Sequence, residues 1–228
     1  MVRHDINYQY FDRKERGMAT THRYSKGEEI ANAISHGVGV VFSISALTLL
    51  IVFASLEGSA ASIISYTVYG VTMLLLYVSS TLLHAFPEGK VKNLFEIFDH
   101  SSIYLFIAGS YTPILVNVIG GKLGISLLAL LWTIASIGIV FKVFFVKRFL
   151  YTSTLLYIVM GWIIVFAWQP LVTNLHDVGV ILLVIGGLLY TIGALFYMFR
   201  WFPFHHMVWH LFVLAGTVVH FFAILLFV

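Results

Sequence analysis

Asp, Glu, Lys and Arg fall where they divide most of the chain into seven uninterrupted apolar runs, over residues 30–56, 58–87, 100–121, 123–141, 149–176, 178–199 and 201–228. Each run holds the roughly 20 consecutive apolar residues that a membrane-crossing helix needs. None shows the alternating segments of roughly ten residues that build a transmembrane β-barrel. The pattern predicts an all-α integral membrane protein with seven transmembrane helices, made of a polar tail over 1–29 and a membrane domain over 30–228. The tail lacks the apolar core of a cleavable signal, so the first helix is expected to act as an uncleaved anchor.

Local signals divide the runs further. Pro87 and Gly89 end the second helix, and Gly109 with Pro113 predicts a kink in the outer half of the third. Gly120 and Gly121 mark a tight turn, the fifth helix is expected to stop before Pro170, and Pro203 breaks the chain ahead of the last segment. Gly186, Gly187 and Gly193 predict close helix contact along the sixth. Glu28 and Glu29 stand just ahead of the first apolar run, where a helix dipole favours acidic groups.

Charge sets the orientation, because cytoplasmic loops keep Lys and Arg. The tail carries six (Arg3, Arg13, Lys14, Arg16, Arg23, Lys26), and the loops on the same side carry six more (Lys90, Lys92, Lys142, Lys147, Arg148, Arg200), leaving one of the thirteen, Lys122, opposite. The N-terminus is therefore expected in the cytoplasm and the C-terminus outside. A hydrophobic share of 60% with only 10% charged residues leaves no separate soluble domain to find. The basic pI near 9.1 follows from this topology and gives no reason to expect nucleic-acid binding. With no cysteine, any metal must be held by nitrogen and oxygen.

The chemistry worth following is His206-Met207-Val208-Trp209-His210 at the start of the last segment. Imidazoles four residues apart project from one helix face about 6 Å from each other, within reach of one ion. The topology brings His84, Asp99, His206 and His210 to one membrane level at the cytoplasmic ends of three helices, although depth alone does not fix their lateral packing. Three imidazoles and an open fourth position are the ligand count of a catalytic zinc site. A metalloprotease helix would carry a Glu between its histidines, and this one does not.

Asp99 is then the expected base, since Glu96 lies one turn closer to the loop and bulk water; the alternative role of Asp99 is to orient a ligand imidazole. Ser80 lies one turn deeper than His84 on the same face, where its hydroxyl would bond the water or polarise a carbonyl. His205, about 100° round the helix from His206, is expected to face the interface. His220 is about 15 Å beyond His210 and suits a buried hydrogen bond instead. Ser35 and His36 either line the same cavity or serve packing, and His4, His22 and His176 read as solvated loop residues. His100, beside Asp99, stays ambiguous.

Several stretches together resemble one family: Glu29 to His36, Ser80-Thr81-Leu82-Leu83-His84, Phe98-Asp99-His100-Ser101, Ala108 to Pro113, Met160-Gly161-Trp162, and His206 to Val213. From Glu29 onward the chain resembles the hemolysin III proteins, the bacterial branch of the progestin and adipoQ receptor (PAQR) family. The resemblance implies seven helices, an internal N-terminus, a Zn2+ on His84, His206 and His210, Asp99 as partner of the zinc-bound water, and Ser80 as the nearby hydroxyl. Alkaline ceramidases in the wider superfamily make a hydrolase of a lipid amide or ester an implied activity, with a membrane lipid as substrate. The family name instead implies cytolysis or a channel-like role with structural zinc, and related proteins imply a non-enzymatic regulator of membrane fluidity or energetics.

Overall fold

The computed structural model describes residues 24–228, so most of the polar tail, including His4 and His22, lies outside the described residues. Those described form α1 (Lys26–Glu57), α2 (Ala60–Ala85), α3 (Lys90–Pro113), α4 (Gly121–Phe145), α5 (Leu150–Gly161), α6 (Trp168–Asn174), α7 (Asp177–Met198) and α8 (His205–Phe227). With the irregular turns that join α5 to α6 and extend α3, they make seven stretches long and apolar enough to cross a membrane. The described residues are all-helical, and the protein is a multi-pass membrane protein.

Helix α1 starts one turn earlier than its apolar run, because Ser25 caps it. The Ser25 hydroxyl accepts the Glu28 amide at 3.2 Å, and Glu28 Oε2 accepts the Ser25 amide at 2.9 Å. At the other side of the bundle Gly120 and Gly121 turn the chain with φ of 59° and 56°, a backbone region that residues with a Cβ enter only at a cost.

Two expectations fare differently from the rest. The outer end of α3 continues past Pro113 as a π-helix, Ile114–Ile119, so the disturbance there is a widened turn and not a simple kink. The fifth span does not continue as one α-helix up to Pro170. It breaks after Gly161 into the 3₁₀ turn Ile163–Ala167, and Pro170 sits inside the first turn of α6, where no amide is needed. Tyr111 holds this break from α3, its hydroxyl donating to the Gly161 carbonyl at 2.6 Å and accepting the Ile164 amide at 3.1 Å.

The helices follow one another round the bundle. Helix α1 packs on α2, α2 on α3, α3 on α4 and α7 on α8, while α8 returns to α1 and α5 meets α3 and α7. Tyr69, Met73 and Tyr77 of α2 meet Phe221 and Ile224 of α8 in one buried cluster, and Tyr104 of α3 meets Leu131 and Tyr157 of α4 and α5 in another. Gly39 and Gly186 permit this closeness, because a Cβ would strike the Tyr77 ring at the first and the His220 ring at the second. Large apolar side chains such as Val41, Leu56, Ile64, Ile125, Phe144 and Phe166 point outward, as they do where the surrounding solvent is lipid.

Candidate metal centre

One end of this bundle gathers the helix ends rich in Lys and Arg, and there α2 and α8 bring three imidazoles together. His84 lies in the last turn of α2, while His206 and His210 occupy the first two turns of α8. The rings of His206 and His210 are 4.5 Å apart between centroids, and His84 stands 5.1 Å from the first and 5.2 Å from the second. One nitrogen from each ring lies within 4.8 Å of the other two, and all three residues are buried. Only three helix turns are needed to build this triangle, because the i, i+4 spacing stacks two imidazoles on one face.

The hydrogen bonds of these rings say which nitrogens are available. His84 Nδ1–H donates to Glu29 Oε2 at 2.6 Å, and its Nε2 is buried without a hydrogen-bond partner. His210 Nδ1–H donates to the Asn32 carbonyl at 3.2 Å and to Ser35 Oγ at 3.1 Å, which leaves its Nε2 as the lone-pair nitrogen. His206 Nδ1 is likewise buried and unpartnered. Buried polar atoms without partners are costly, and here two of them belong to imidazoles that face one another. The donor set is nitrogen only, close enough for one metal ion, and these orphaned atoms are what an ion would satisfy.

The site divides two cavities. The first, about 120 Å³, is walled by apolar side chains from Asp99, His206 and His210 down to Trp162, Tyr190 and His220. His206 and His220 span about 21 Å of α8 at about 1.5 Å of rise per residue, so this cavity reaches deep into the bundle. The second, about 230 Å³, is polar and lined by Glu29, His84, Lys92, Glu96, Lys147 and Arg200 among others. Asp99, Tyr197 and His206 line both. Tyr24 covers the triad on the polar side, its ring 5.0 Å from His206 and 6.0 Å from His84, and burial pushes its phenol up so that it stays neutral.

Asp99, predicted at the level of the histidines, lines both cavities together with His206. Ser80 is fully buried and its hydroxyl has no hydrogen-bond partner. Ser35 and His36 both belong to the site. Ser35 holds His210, and the His36 ring stacks on His210 with centroids 3.5 Å apart. His220, as expected, makes a hydrogen bond within the bundle, to the Leu183 carbonyl at 2.9 Å.

Some expectations are corrected. His205 is buried and not at the interface, with Nδ1–H on the Phe196 carbonyl at 3.2 Å, because α8 starts beneath the end of α7. Glu96 is not in bulk water, since it is 7% exposed, lies in the wall of the polar cavity and is 3.5 Å from Lys147 Nζ. His100 is committed to structure, its Nδ1–H on the Glu96 carbonyl and its Nε2 accepting the Tyr197 hydroxyl. His176 is exposed, as expected, and also caps α7 through the Val178 amide. What sequence reasoning missed is Glu29. Its place ahead of an apolar run signalled only a helix start, and its hydrogen bond crosses 55 residues to His84.

A family model described as haemolysin-III related matches residues 24–221 of the chain. The chain belongs to that family. Among its haemolysin-III relatives, "Hemolysin-3" of Bacillus cereus is 54% identical over 88% of this chain and 92% of its own length. "Hemolysin-3 homolog" of Bacillus subtilis (strain 168) is 54% identical over 87% and 93%. More distantly, the human "Monocyte to macrophage differentiation factor" is 29% identical over 86% of this chain and 83% of its own length. No solved structure matches this haemolysin-III related chain.

Proposed function

We propose that the chain is a zinc-dependent hydrolase of a membrane lipid amide or ester, with its N-terminus and the polar cavity facing the cytoplasm. The observation that carries this reading is the triad of buried histidines with Asp99 at the junction of an apolar and a polar cavity. His84, His206 and His210 would hold the ion. Bound there, zinc supplies Lewis acidity and a water acidified to a pKa of about 7.

The remaining work falls to the chain. The apolar cavity takes the acyl part of a lipid and brings its carbonyl to the level of Asp99. Asp99, reached from both cavities, accepts the proton of the attacking water and returns it to the leaving nitrogen or oxygen. Ser80, one turn from His84 and buried with its hydroxyl unpartnered, directs that hydroxyl to the water or to the substrate carbonyl. Tyr24 shields the site from the polar side, and the lipid enters sideways from the bilayer. Metal analysis of the purified protein, with turnover of lipid amides and esters before and after chelation, tests the reading. One zinc per chain and loss of turnover on its removal are expected. A metal-free preparation whose hydrolysis survives chelation overturns it.

The relatives' printed name favours a second reading, a cytolytic protein whose metal is structural. The outer half of the bundle argues against a pore. Asn117 is spent on Ser62, Ser65 and the Pro113 carbonyl, and Asn174 on the Val118 carbonyl, so neither offers its polar group to a path for ions. Leakage by the wild-type protein from liposomes lacking any hydrolysable lipid, reduced in His210→Ala, would support the second reading over the first.

A further inference from the structure

Helix α1 contributes no imidazole to the triad, yet it touches two of the three. Glu29 takes the Nδ1–H of His84, and about one turn on the Asn32 carbonyl and Ser35 Oγ take the Nδ1–H of His210. Each bond occupies Nδ1, fixes the plane of its ring and leaves Nε2 as the nitrogen with a lone pair. His206, whose unpartnered Nδ1 is the nitrogen left for an ion, has no hydrogen bond from α1 among the described residues. The triad therefore consists of two imidazoles oriented from α1 and a third held by its place in α8.

Glu29 is itself held. Its second oxygen, Oε1, accepts Lys92 Nζ at 2.7 Å, so a Lys92–Glu29–His84 chain links the first turn of α3 through α1 to the last turn of α2. Side chains of Lys92 and Glu29 are 14% and 18% exposed, so both bonds lie away from bulk water, where charge-assisted hydrogen bonds keep more of their strength. Helix capping does not require this arrangement, because Glu28, the neighbouring carboxylate, closes the capping box with Ser25 and also accepts the Phe204 amide ahead of α8. Glu29 is thus free of the helix start and aimed at an imidazole.

We propose that Glu29, fixed by Lys92, is a positioning residue that sets the metal affinity of His84, and that α1 with Ser35 on His210 forms the outer shell of the metal centre. A carboxylate behind a ligating imidazole orients the ring and raises its basicity, and losing such a partner costs about 10–100-fold in metal affinity. The inference rests on the metal reading above and goes beyond it, because it assigns α1 a role that the triad alone does not require.

The test is the zinc dissociation constant of the purified protein, measured by competition with a chelator, alongside the visible spectrum of the Co2+-loaded form and the melting temperature without metal. Glu29→Gln keeps size and removes charge, so it is expected to weaken zinc by about 10–100-fold and to shift the cobalt bands. Its metal-free melting should match wild type. Lys92→Met should weaken zinc less, in the same direction, and Lys90→Met, exposed two residues earlier, should change nothing.

Wild-type zinc affinity and cobalt spectrum in Glu29→Gln overturn the inference while leaving the metal reading standing. A metal-free melting point that falls as far as the metal-loaded one also overturns it, since Glu29 is then only a fastening between helices. A wild-type protein that takes up no zinc overturns the metal reading itself, and the inference with it. If Glu29→Gln does not accumulate folded, Lys92→Met and Ser35→Ala decide by the same titration: both at wild-type affinity overturn the inference, and weakening in either supports it.

Discussion

The two cavities are neighbours with opposite chemistry. One, about 120 Å³, runs inward between aromatic and small side chains from Ile103 to Trp162 and Tyr190, and the other, about 230 Å³, is ringed by Glu29, Lys92, Glu96, Lys147 and Arg200. They meet at Asp99, Tyr197 and His206. Such a boundary suits the proposed hydrolase. A catalyst that must bring a lipid carbonyl and water to one point needs an apolar side and a wet side with a base between them.

The sharpest break in this comparison comes from the boundary itself. His206→Ala or His210→Ala removes one of the three nitrogens of the triad, so zinc affinity should fall by more than the roughly 100-fold that marks the upper end for outer-shell groups. Titration of the purified variants checks this, and a variant that still binds one zinc at wild-type strength denies the residue its place as a ligand. Asp99→Asn should come next. It keeps shape and hydrogen bonding, so zinc should be retained while turnover drops by about 10²–10⁴-fold. If zinc and turnover are lost together, Asp99 belongs to the metal's own ligands and the division between holder and base is wrong.

How far the sequence carried this picture depended on how local each signal was. The seven spans rest on runs of apolar residues, and the His206 and His210 pair on a spacing within one helix, so both are legible without any knowledge of packing. His84 and Asp99 needed topology, and the expected alternation of the seven spans, which assigns twelve of thirteen basic residues to one side, provided it. Glu29 was not legible as a partner of His84, since the same position satisfies a helix dipole and the bond reaches across 55 residues. The break in the fifth span escaped for a related reason. Gly161 is unremarkable inside an apolar run, and the group that stabilises the opened backbone is Tyr111, fifty residues earlier.

The apolar side can be altered with a smaller effect. Gly187 lines that cavity, and a Cβ there would meet Trp162 at 3.5 Å, an ordinary contact. Gly187→Ala should therefore fold and bind zinc as wild type does, yet trim the far part of the cavity. One methyl group in a hydrophobic pocket is worth about 1–3 kcal/mol, so discrimination against long acyl chains should rise by about tenfold while short chains are unaffected. Equal kcat/KM across chain lengths in both proteins would separate this cavity from substrate binding.

The polar side should be the most tolerant of change. Lys147 is half exposed, and its 3.5 Å contact with the buried Glu96 is longer than a good charge-assisted hydrogen bond and is screened by solvent from the lysine side. Its second partner, the Asn93 side chain at 2.9 Å, is also exposed. Lys147→Ala should leave zinc affinity unchanged and lower turnover by no more than about twofold, with the difference shrinking further as salt is added. A loss as large as that of Asp99→Asn would mean that the charges of this cavity act on the substrate directly, and the contrast between a selective apolar side and a permissive wet side would fail.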